Sequence, residues 1–198
     1  MSADRPVFHP KFHHANLKTT KLQDMIDWYS TVVGSQVLFQ NELGAWMSND
    51  AANHRIALMA FPGFTDDPEK ENHTGLHHTA FEYESFEQLN DSYLRLAEAG
   101  IVPDACLDHG MTFSYYYRDP DGNNVELQCD NFGDWAKSSA FMREGPEFHA
   151  DPIGQFVDPA RVATMYADGA SFEEIHARAM AGELRPDKPP VDVPRVEA

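Results

Sequence analysis

Residues 109 to 126 bring a histidine, a tyrosine and a glutamate into one short stretch, HGMTFSYYYRDPDGNNVE. Thr112 to Arg118 is β-branched and aromatic, residues 119 to 122 (DPDG) are typical of a turn, and residues 124 to 129 alternate between polar and apolar types. This pattern predicts a β-hairpin. Histidine, tyrosine and carboxylate groups on paired strands suit proton transfer, substrate binding and metal ligation.

The two predicted strands would place Tyr116 beside Glu126. Because side chains alternate between the two faces of a strand, each strand carries its polar residues on one face. A row of polar groups on strands this apolar indicates the lining of a cavity. These residues are Thr112, Ser114, Tyr116 and Arg118 on the first strand, and Asn124, Glu126 and Gln128 on the second.

Two histidines elsewhere in the chain, His14 and His78, form a candidate metal site with Glu126. Two imidazoles and one carboxylate are the ligand set of many non-haem Fe(II) oxygenases, and Mn(II) or Zn(II) also fits these ligand types. For each histidine alone, a cleft residue with an ordinary hydrogen bond is the competing interpretation. Their matched placement in an internal repeat favours ligation. His13 and His77 are expected to face the opposite way, since neighbours alternate along a strand.

The elements that position these residues follow one order twice, in modules of about residues 12 to 62 and 76 to 130. Each module is predicted to contain a strand, an amphipathic helix that ends at a glycine, and three further strands. Such a module cannot bury its sheet alone. We therefore predict an α+β fold in which paired βαβββ modules form a curved mixed sheet, a half-barrel around a metal cleft. A shared offset relates three pairs of landmarks: His14 and His78, Thr20 and Ser85, and Gly34 and Gly100.

Residues 131 to 198 depart from this pattern and are predicted to be a C-terminal extension of a domain formed by residues 1 to 130. Loops rich in aromatic residues are expected through His149. Asp158-Pro159, and Ser171 with Glu174, then predict the starts of two helices. The proline-rich end, LRPDKPPVDVPRVEA, is expected to be extended. We expect the extension to wrap either the core or a partner subunit.

The composition argues against several classes of function. With 15 Lys and Arg against 32 Asp and Glu, the formal charge of −17 repels nucleic acid and anionic membrane surfaces. We expect neither a signal peptide nor a membrane-spanning segment, and we therefore predict a soluble, cytoplasmic protein. We also predict that it forms a homo-oligomer. Cys106 and Cys129 are predicted to be reduced residues of the core.

These residues resemble the type I extradiol ring-cleaving dioxygenases of the vicinal oxygen chelate superfamily, over roughly residues 12 to 130. HHANL and GLHHTAF are similar to the two strands of that family that carry metal-binding histidines, and NHRIAL is similar to the segment with its catalytic histidine. Tyr115 departs from an apolar position of the family signature, and Leu107 from a smaller or β-branched one. The signature around the last strands corresponds here to His109, Tyr116, Asp119, Pro120, Gly122 and Glu126.

The resemblance implies an Fe(II) enzyme that opens a catechol-type aromatic ring beside its diol with O2, giving a muconic semialdehyde type of product. It implies that His14, His78 and Glu126 bind the metal. It also implies that Tyr116 assists deprotonation of the diol, that His54 acts as base and then acid, and that His109 hydrogen-bonds substrate oxygens. The competing interpretations are a cleft tyrosine with an ordinary hydrogen bond and a solvent-facing His54 at the start of a strand.

Two other functions share this fold. A glyoxalase-like isomerase needs a further carboxylate from the first module, but the repeat offset from Glu126 leads to Ala60 or Phe61. A metal-free binding protein of the bleomycin-resistance kind has no need of His14, His78 and Glu126 together. Bound metal, with oxygen uptake on adding a catechol, would exclude the binding protein, whereas affinity retained after metal removal would favour it.

Overall fold

The computed structural model describes residues 7–188 and 190 of the chain. The chain divides into two compact units, the first ending at His73 and the second beginning at Thr74. Each unit contains one mixed β-sheet together with helices. The predicted α+β class is therefore confirmed.

The first unit contains β1 (Ala15–Lys18), α1 (Leu22–Val32), β2 (Gln36–Asn41), β3 (Gly44–Ser48), β4 (Ile56–Met59) and a short 3-10 helix (Lys70–Asn72). Its sheet has the order β1-β4-β3-β2, with β1 parallel to β4 and the other neighbours antiparallel. The helix α1 packs on this sheet through the spacing that its sequence predicts. Each such apolar side chain contributes about 1.5–3 kcal/mol on burial. The buried residues of α1 are Met25, Ile26, Tyr29 and Val32.

The second unit repeats this module and then extends it. The module consists of β5 (His78–Tyr83), α2 (Phe86–Glu98), β6 (Ala105–Asp108), β7 (Thr112–Arg118) and β8 (Asn124–Asp130). Its strands follow the order β5-β8-β7-β6, with β5 parallel to β8, which is the topology of the first sheet. The predicted βαβββ repeat is confirmed. Gly34 and Gly100, with φ of 69° and 77°, follow the helices as predicted.

The extension contains α3 (Trp135–Glu144), α4 (Pro146–Ala150), β9 (Gln155–Phe156), α5 (Pro159–Ala167) and α6 (Phe172–Met180). Asp158 caps α5, and Ser171 with Glu174 forms a capping box on α6, as the sequence predicts. The expectation of loops through His149 is wrong. Because α3 buries only Ser138, it lacks the apolar stripe that would have revealed a helix. Most of the extended end predicted after Gly182 lies at residue 189 and residues 191–198, outside the described residues.

Candidate active site

The β7–β8 hairpin places Tyr116 directly opposite Glu126 in the antiparallel register, as the sequence predicts. Its turn is held by Asp119, whose carboxylate accepts hydrogen bonds from the backbone N–H groups of Asp121 and Asn123 at 3.0 and 2.8 Å. This side-chain cap fixes the turn without help from other elements. The register of the hairpin, and with it the pairing of Tyr116 and Glu126, is therefore set locally.

Four of the predicted site residues form one hydrogen-bonded chain in the second unit. His109 Nε2 lies 2.9 Å from Tyr116 Oη. Tyr116 Oη lies 2.9 Å from Glu126 Oε1, and Glu126 Oε2 lies 3.0 Å from His78 Nε2. Glu126 is buried, whereas the His78 side chain is 34% exposed and can meet a ligand from outside the protein.

In this hydrogen-bonded series of side chains, Tyr116 can donate to only one neighbour at a time, because its hydroxyl has one hydrogen and two possible acceptors, His109 and Glu126. His109 Nδ1 lies 2.5 Å from the carbonyl oxygen of Ile153, which can only accept, so Nδ1 carries a proton. When His109 is neutral, its Nε2 is an acceptor and competes with Glu126 for the Tyr116 proton. If Glu126 bound another partner, the Tyr116 hydroxyl could donate its hydrogen to His109 Nε2 instead.

The electrostatics of the chain favour an ionised glutamate and a neutral tyrosine. Burial raises the pKa of Glu126, but hydrogen bonds from His78, Ser114 and Tyr116 outweigh burial and lower it. The hydrogen bond to Glu126 raises the pKa of His78. Burial, followed by the charge of Glu126, raises the pKa of Tyr116 far above its usual value. At neutral pH Tyr116 is therefore a hydrogen-bond donor.

The first unit gathers His13, His14 and His54, each with a ring nitrogen within 4.8 Å of the others. His54 precedes β4, and its ring centroid lies 4.3 Å from that of His14. Burial, followed by the positive charges that His14 and His13 can carry, lowers the pKa of His54. A half-buried imidazole with a lowered pKa is neutral at pH 7 and can accept a proton.

The expectation that His13 and His77 face away from His14 and His78 is wrong. The Nδ1 atoms of His13 and His14 lie 3.0 Å apart, and those of His77 and His78 lie 2.9 Å apart. Side chains alternate strictly only inside a strand, whereas β1 begins after His14 and β5 begins at His78 itself. Each module thus presents a pair of adjacent imidazoles at the start of its first strand.

Known proteins resemble this chain over most of its length. The model of the glyoxalase/bleomycin resistance protein/dioxygenase superfamily matches residues 11–127. Biphenyl-2,3-diol 1,2-dioxygenase 2 of Rhodococcus globerulus is 37% identical over 180 residues, which cover 91% of this chain and 94% of the relative. Biphenyl-2,3-diol 1,2-dioxygenase 3 of the same organism is 40% identical over 173 residues, covering 87% and 90%.

The names of these relatives specify where the ring is cut. Their substrate carries hydroxyls on carbons 2 and 3 and is cleaved between carbons 1 and 2, which is the bond next to the diol, so cleavage is extradiol. The chain belongs to the glyoxalase/bleomycin resistance protein/dioxygenase superfamily, among its extradiol dioxygenases. The predicted enzyme class is confirmed.

Solved structures support the fold of this dioxygenase. A glyoxalase/dioxygenase from Nostoc punctiforme superposes with a TM-score of 0.52 at 21% identity, and the match covers 65% of this chain and 99% of that chain. By contrast, the match to the Rhodococcus dioxygenase 2 takes in 91% of this chain, so it necessarily includes much of the extension that follows β8. The extension is thus shared with that dioxygenase.

The strand register identifies the position in the first module that corresponds to Glu126. Glu126 pairs with the residue two after His78, and in the first module the residue two after His14 pairs with Ala57. The corresponding position is therefore Ala57 and not residue 60 or 61, because the connections inside the two modules differ in length. Ala57 supplies no carboxylate, so a fourth protein ligand of the glyoxalase kind is absent at this position of the dioxygenase.

The donor groups fit the metal cofactor that an extradiol dioxygenase implies. Each unit presents imidazole nitrogens close together, and the second adds the Glu126 carboxylate 3.0 Å from His78 Nε2. Imidazole and carboxylate suit a divalent transition metal.

The sequence did not reveal the Ile153 carbonyl that orients His109, since a backbone acceptor leaves no signal in residue type. Among the described residues, no helix is long and apolar enough to cross a membrane.

Proposed function

We propose that this protein is an Fe(II)-dependent dioxygenase that opens the ring of an aryl-substituted catechol such as biphenyl-2,3-diol. Both atoms of O2 would enter the product as the carbon–carbon bond beside the diol breaks. Two observations support the substrate and reaction: the chain of His109, Tyr116, Glu126 and His78, and the 37 and 40% identity with dioxygenases named for biphenyl-2,3-diol. The chain of four residues carries the proposal, because a binding protein needs no such set of proton donors and acceptors.

His14, His78 and Glu126 are the proposed ligands, with Fe(II) as the metal and Mn(II) as the second choice. Bound Fe(II) would supply a Lewis acid for the diol and the electrons that activate O2. The negative charge of Glu126 would offset part of the metal charge. His14 and His78 would bind through imidazole nitrogens, and their neighbours His13 and His77 lie close enough to hydrogen-bond them.

Tyr116 and His109 are proposed to remove a proton from the diol. Tyr116 Oη lies 2.9 Å from His109 Nε2, and its hydroxyl hydrogen, which is donated to Glu126, would turn to His109 if Glu126 bound another partner. A proton that arrives at Tyr116 Oη could then be passed on to His109. The Ile153 carbonyl holds the other His109 proton on Nδ1, so Nε2 is the free acceptor. This relay does not require a tyrosine anion, which the raised pKa of Tyr116 opposes.

His54 is proposed to act on the second reactant, O2. Its lowered pKa leaves the ring neutral at pH 7, so it can first accept a proton and then return it during cleavage. Because His54 belongs to the same cluster as His14, a role beside the metal is consistent with its place in the first unit. The predicted cytoplasmic location and homo-oligomeric state stay predictions of the sequence.

Anaerobic reconstitution with Fe(II), followed by air and a panel of catechols, tests the proposal. We expect a yellow ring-opened product and one O2 consumed per diol, with biphenyl-2,3-diol and 3-methylcatechol turned over faster than 3,4-dihydroxybenzoate. The acid should be disfavoured because the protein carries a formal charge of −17. Mass spectrometry after reaction in ¹⁸O2 should find two labelled atoms. Catechol binding with no oxygen uptake, unaltered by a chelator, would instead identify a binding protein.

A further inference from the structure

The segment that follows β8 is built into the core of the second unit. Strand β9 adds to the edge of the sheet beside β6, with Asp108 opposite Gln155 and Leu107 opposite Phe156. The ring of Phe172 on α6 stacks on that of Phe86 with centroids 4.7 Å apart. Since β6 leads directly to His109, this segment borders the part of the chain that carries the His109 imidazole.

The side chain of Asp108 is fully buried and is bound from three directions. Its Oδ1 accepts hydrogen bonds from Gly110 N at 2.9 Å and from Asn131 Nδ2 at 3.0 Å. Its Oδ2 lies 2.6 Å from His176 Nδ1 on α6. A buried carboxylate is stable only when it is paired and hydrogen-bonded, so the loss of any of these donors destabilises the turn. The hydrogen bond to Asp108 raises the pKa of His176, which favours the charged pair.

His109 lies between these two anchored residues, Asp108 and Gly110. Its backbone N–H donates to Thr112 O at 2.9 Å, which closes the turn between β6 and β7. Its ring donates from Nδ1 to Ile153 O, in the loop before β9. A Cβ placed on Gly154 would lie 2.1 Å from Asp108 O and 2.8 Å from His109 Cα. A residue with a side chain would therefore not fit at position 154, and the glycine lets the backbone after Ile153 pack directly against the turn that carries His109.

The ring of His109 has two orientations that differ by half a turn, and only one of them gives Nδ1 to Ile153 and Nε2 to Tyr116. If the turn shifts relative to residues 153 and 154, the Nδ1 hydrogen bond weakens and the tautomer is no longer fixed. The position of the turn depends on the Asp108 carboxylate, which His176 holds from the far end of the extension. His176 therefore has a physical route to His109 without contacting it.

We propose that His176 is a positioning residue for His109. By pairing with buried Asp108, it holds the β6–β7 turn so that the Ile153 carbonyl fixes the His109 tautomer and Nε2 faces Tyr116. The role in turnover rests on the proposed function, in which His109 accepts the diol proton. The effect on the tautomer does not.

The direct test is ¹⁵N-histidine NMR of the full chain, with the His109 signals assigned from His109→Gln. We expect wild-type His109 to be protonated at Nδ1, and His176→Phe to convert it to a mixture of tautomers. His176→Asn, which keeps a donor near the Nδ1 position, should show the wild-type signals. If His176→Phe does not fold, His176→Ala takes its place with the same expected mixture of tautomers. Unchanged His109 signals in His176→Phe, or in His176→Ala in its place, would overturn the proposal, whether or not the protein cleaves catechols.

Kinetics on the Fe(II)-reconstituted enzyme with biphenyl-2,3-diol provide the second readout. We expect His176→Phe to lower kcat about tenfold or more at unchanged metal content, because small misplacements of catalytic groups have effects of this size. In the His109→Gln background the same change should have no further effect on kcat. Equal losses in both backgrounds would overturn the proposal by showing that His176 acts independently of His109.

Arg178 provides the matched control. It lies on the same helix and pairs with Glu183 at 2.8 Å, with both side chains about half exposed. Arg178→Ala should leave kcat and the His109 signals as in wild type. A change as large as that of His176→Phe would show that any damage to α6 reaches His109, and it would overturn the specific role of His176.

Discussion

Replacement of Tyr116 by phenylalanine removes one oxygen atom from the centre of the hydrogen-bonded chain. Tyr116 Oη lies 2.9 Å from both His109 Nε2 and Glu126 Oε1, so the substitution breaks both contacts and keeps the ring. The variant should therefore fold and retain its metal. What it loses is the atom through which we propose that the diol proton reaches His109.

The size of the effect follows from these two contacts. Hydrogen bonds to charged groups contribute about 1.5–3 kcal/mol, and acid–base groups contribute about 10²–10⁴ in rate. The lower end of the rate range for acid–base groups applies, because the raised pKa of Tyr116 makes it a hydrogen-bond donor and not an anion. We expect kcat to fall at least about a hundredfold, equivalent to about 2.7 kcal/mol of transition-state stabilisation.

The assay combines metal analysis after Fe(II) reconstitution with single-turnover formation of the yellow product. Tyr115→Phe is the control, because the Tyr115 hydroxyl is buried and has no hydrogen-bond partner among residues 7–188 and 190. That control should stay within about twofold of wild type, since no interaction is removed. Metal loss in Tyr116→Phe, or a kcat within about threefold of wild type, would refute the proposed relay.

Three further predictions concern the other site residues and the extension. His78→Ala and Glu126→Ala should each abolish both metal binding and cleavage, whereas Glu126→Ala with full metal occupancy would remove Glu126 from the ligand set. His54→Ala should keep its metal and lower kcat at least about a hundredfold, and metal analysis of this variant decides whether His54 is a ligand instead. The free energy of unfolding of wild type should exceed that of His176→Phe by about 2 kcal/mol at pH 6. Because the folded-state pKa of His176 is raised above the ordinary value of 6.5, this difference is fully present below pH 6.5 and should shrink as the pH rises through the folded-state pKa. Denaturant unfolding at pH 6 and pH 9 measures it, and a difference that grows with pH would contradict the charged Asp108–His176 pair.

Local patterns in the sequence predicted the repeated module well. Alternation along β7 and β8, the DPDG turn and the capping residues of α5 and α6 act within a few residues, so each is visible without knowing the rest of the chain. The helices α3 and α4 escaped prediction, because most of α3 is exposed and its sequence shows no apolar face. Strand β9 has only two residues and forms by pairing with a distant strand, which no local pattern can indicate.

At the candidate active site, too, some features follow from local sequence and others depend on contacts between distant residues. The sequence alone indicated which groups could do chemistry, and it determined that Tyr116 lies opposite Glu126, since a short turn fixes the register of a hairpin. It also placed His78 on the first strand and Glu126 on the last strand of the second module, because the module repeats. That these two strands pair, with Glu126 within 3.0 Å of His78, was decided by the tertiary structure. The tertiary structure alone decided that His13 joins His14 and His54, and that His109 is held by Ile153 and by the Asp108–His176 pair. Apart from the contact between the neighbours His13 and His14, these contacts join residues 40 or more positions apart along the chain. Their energy comes from burial and hydrogen bonding that exist only after the chain has folded.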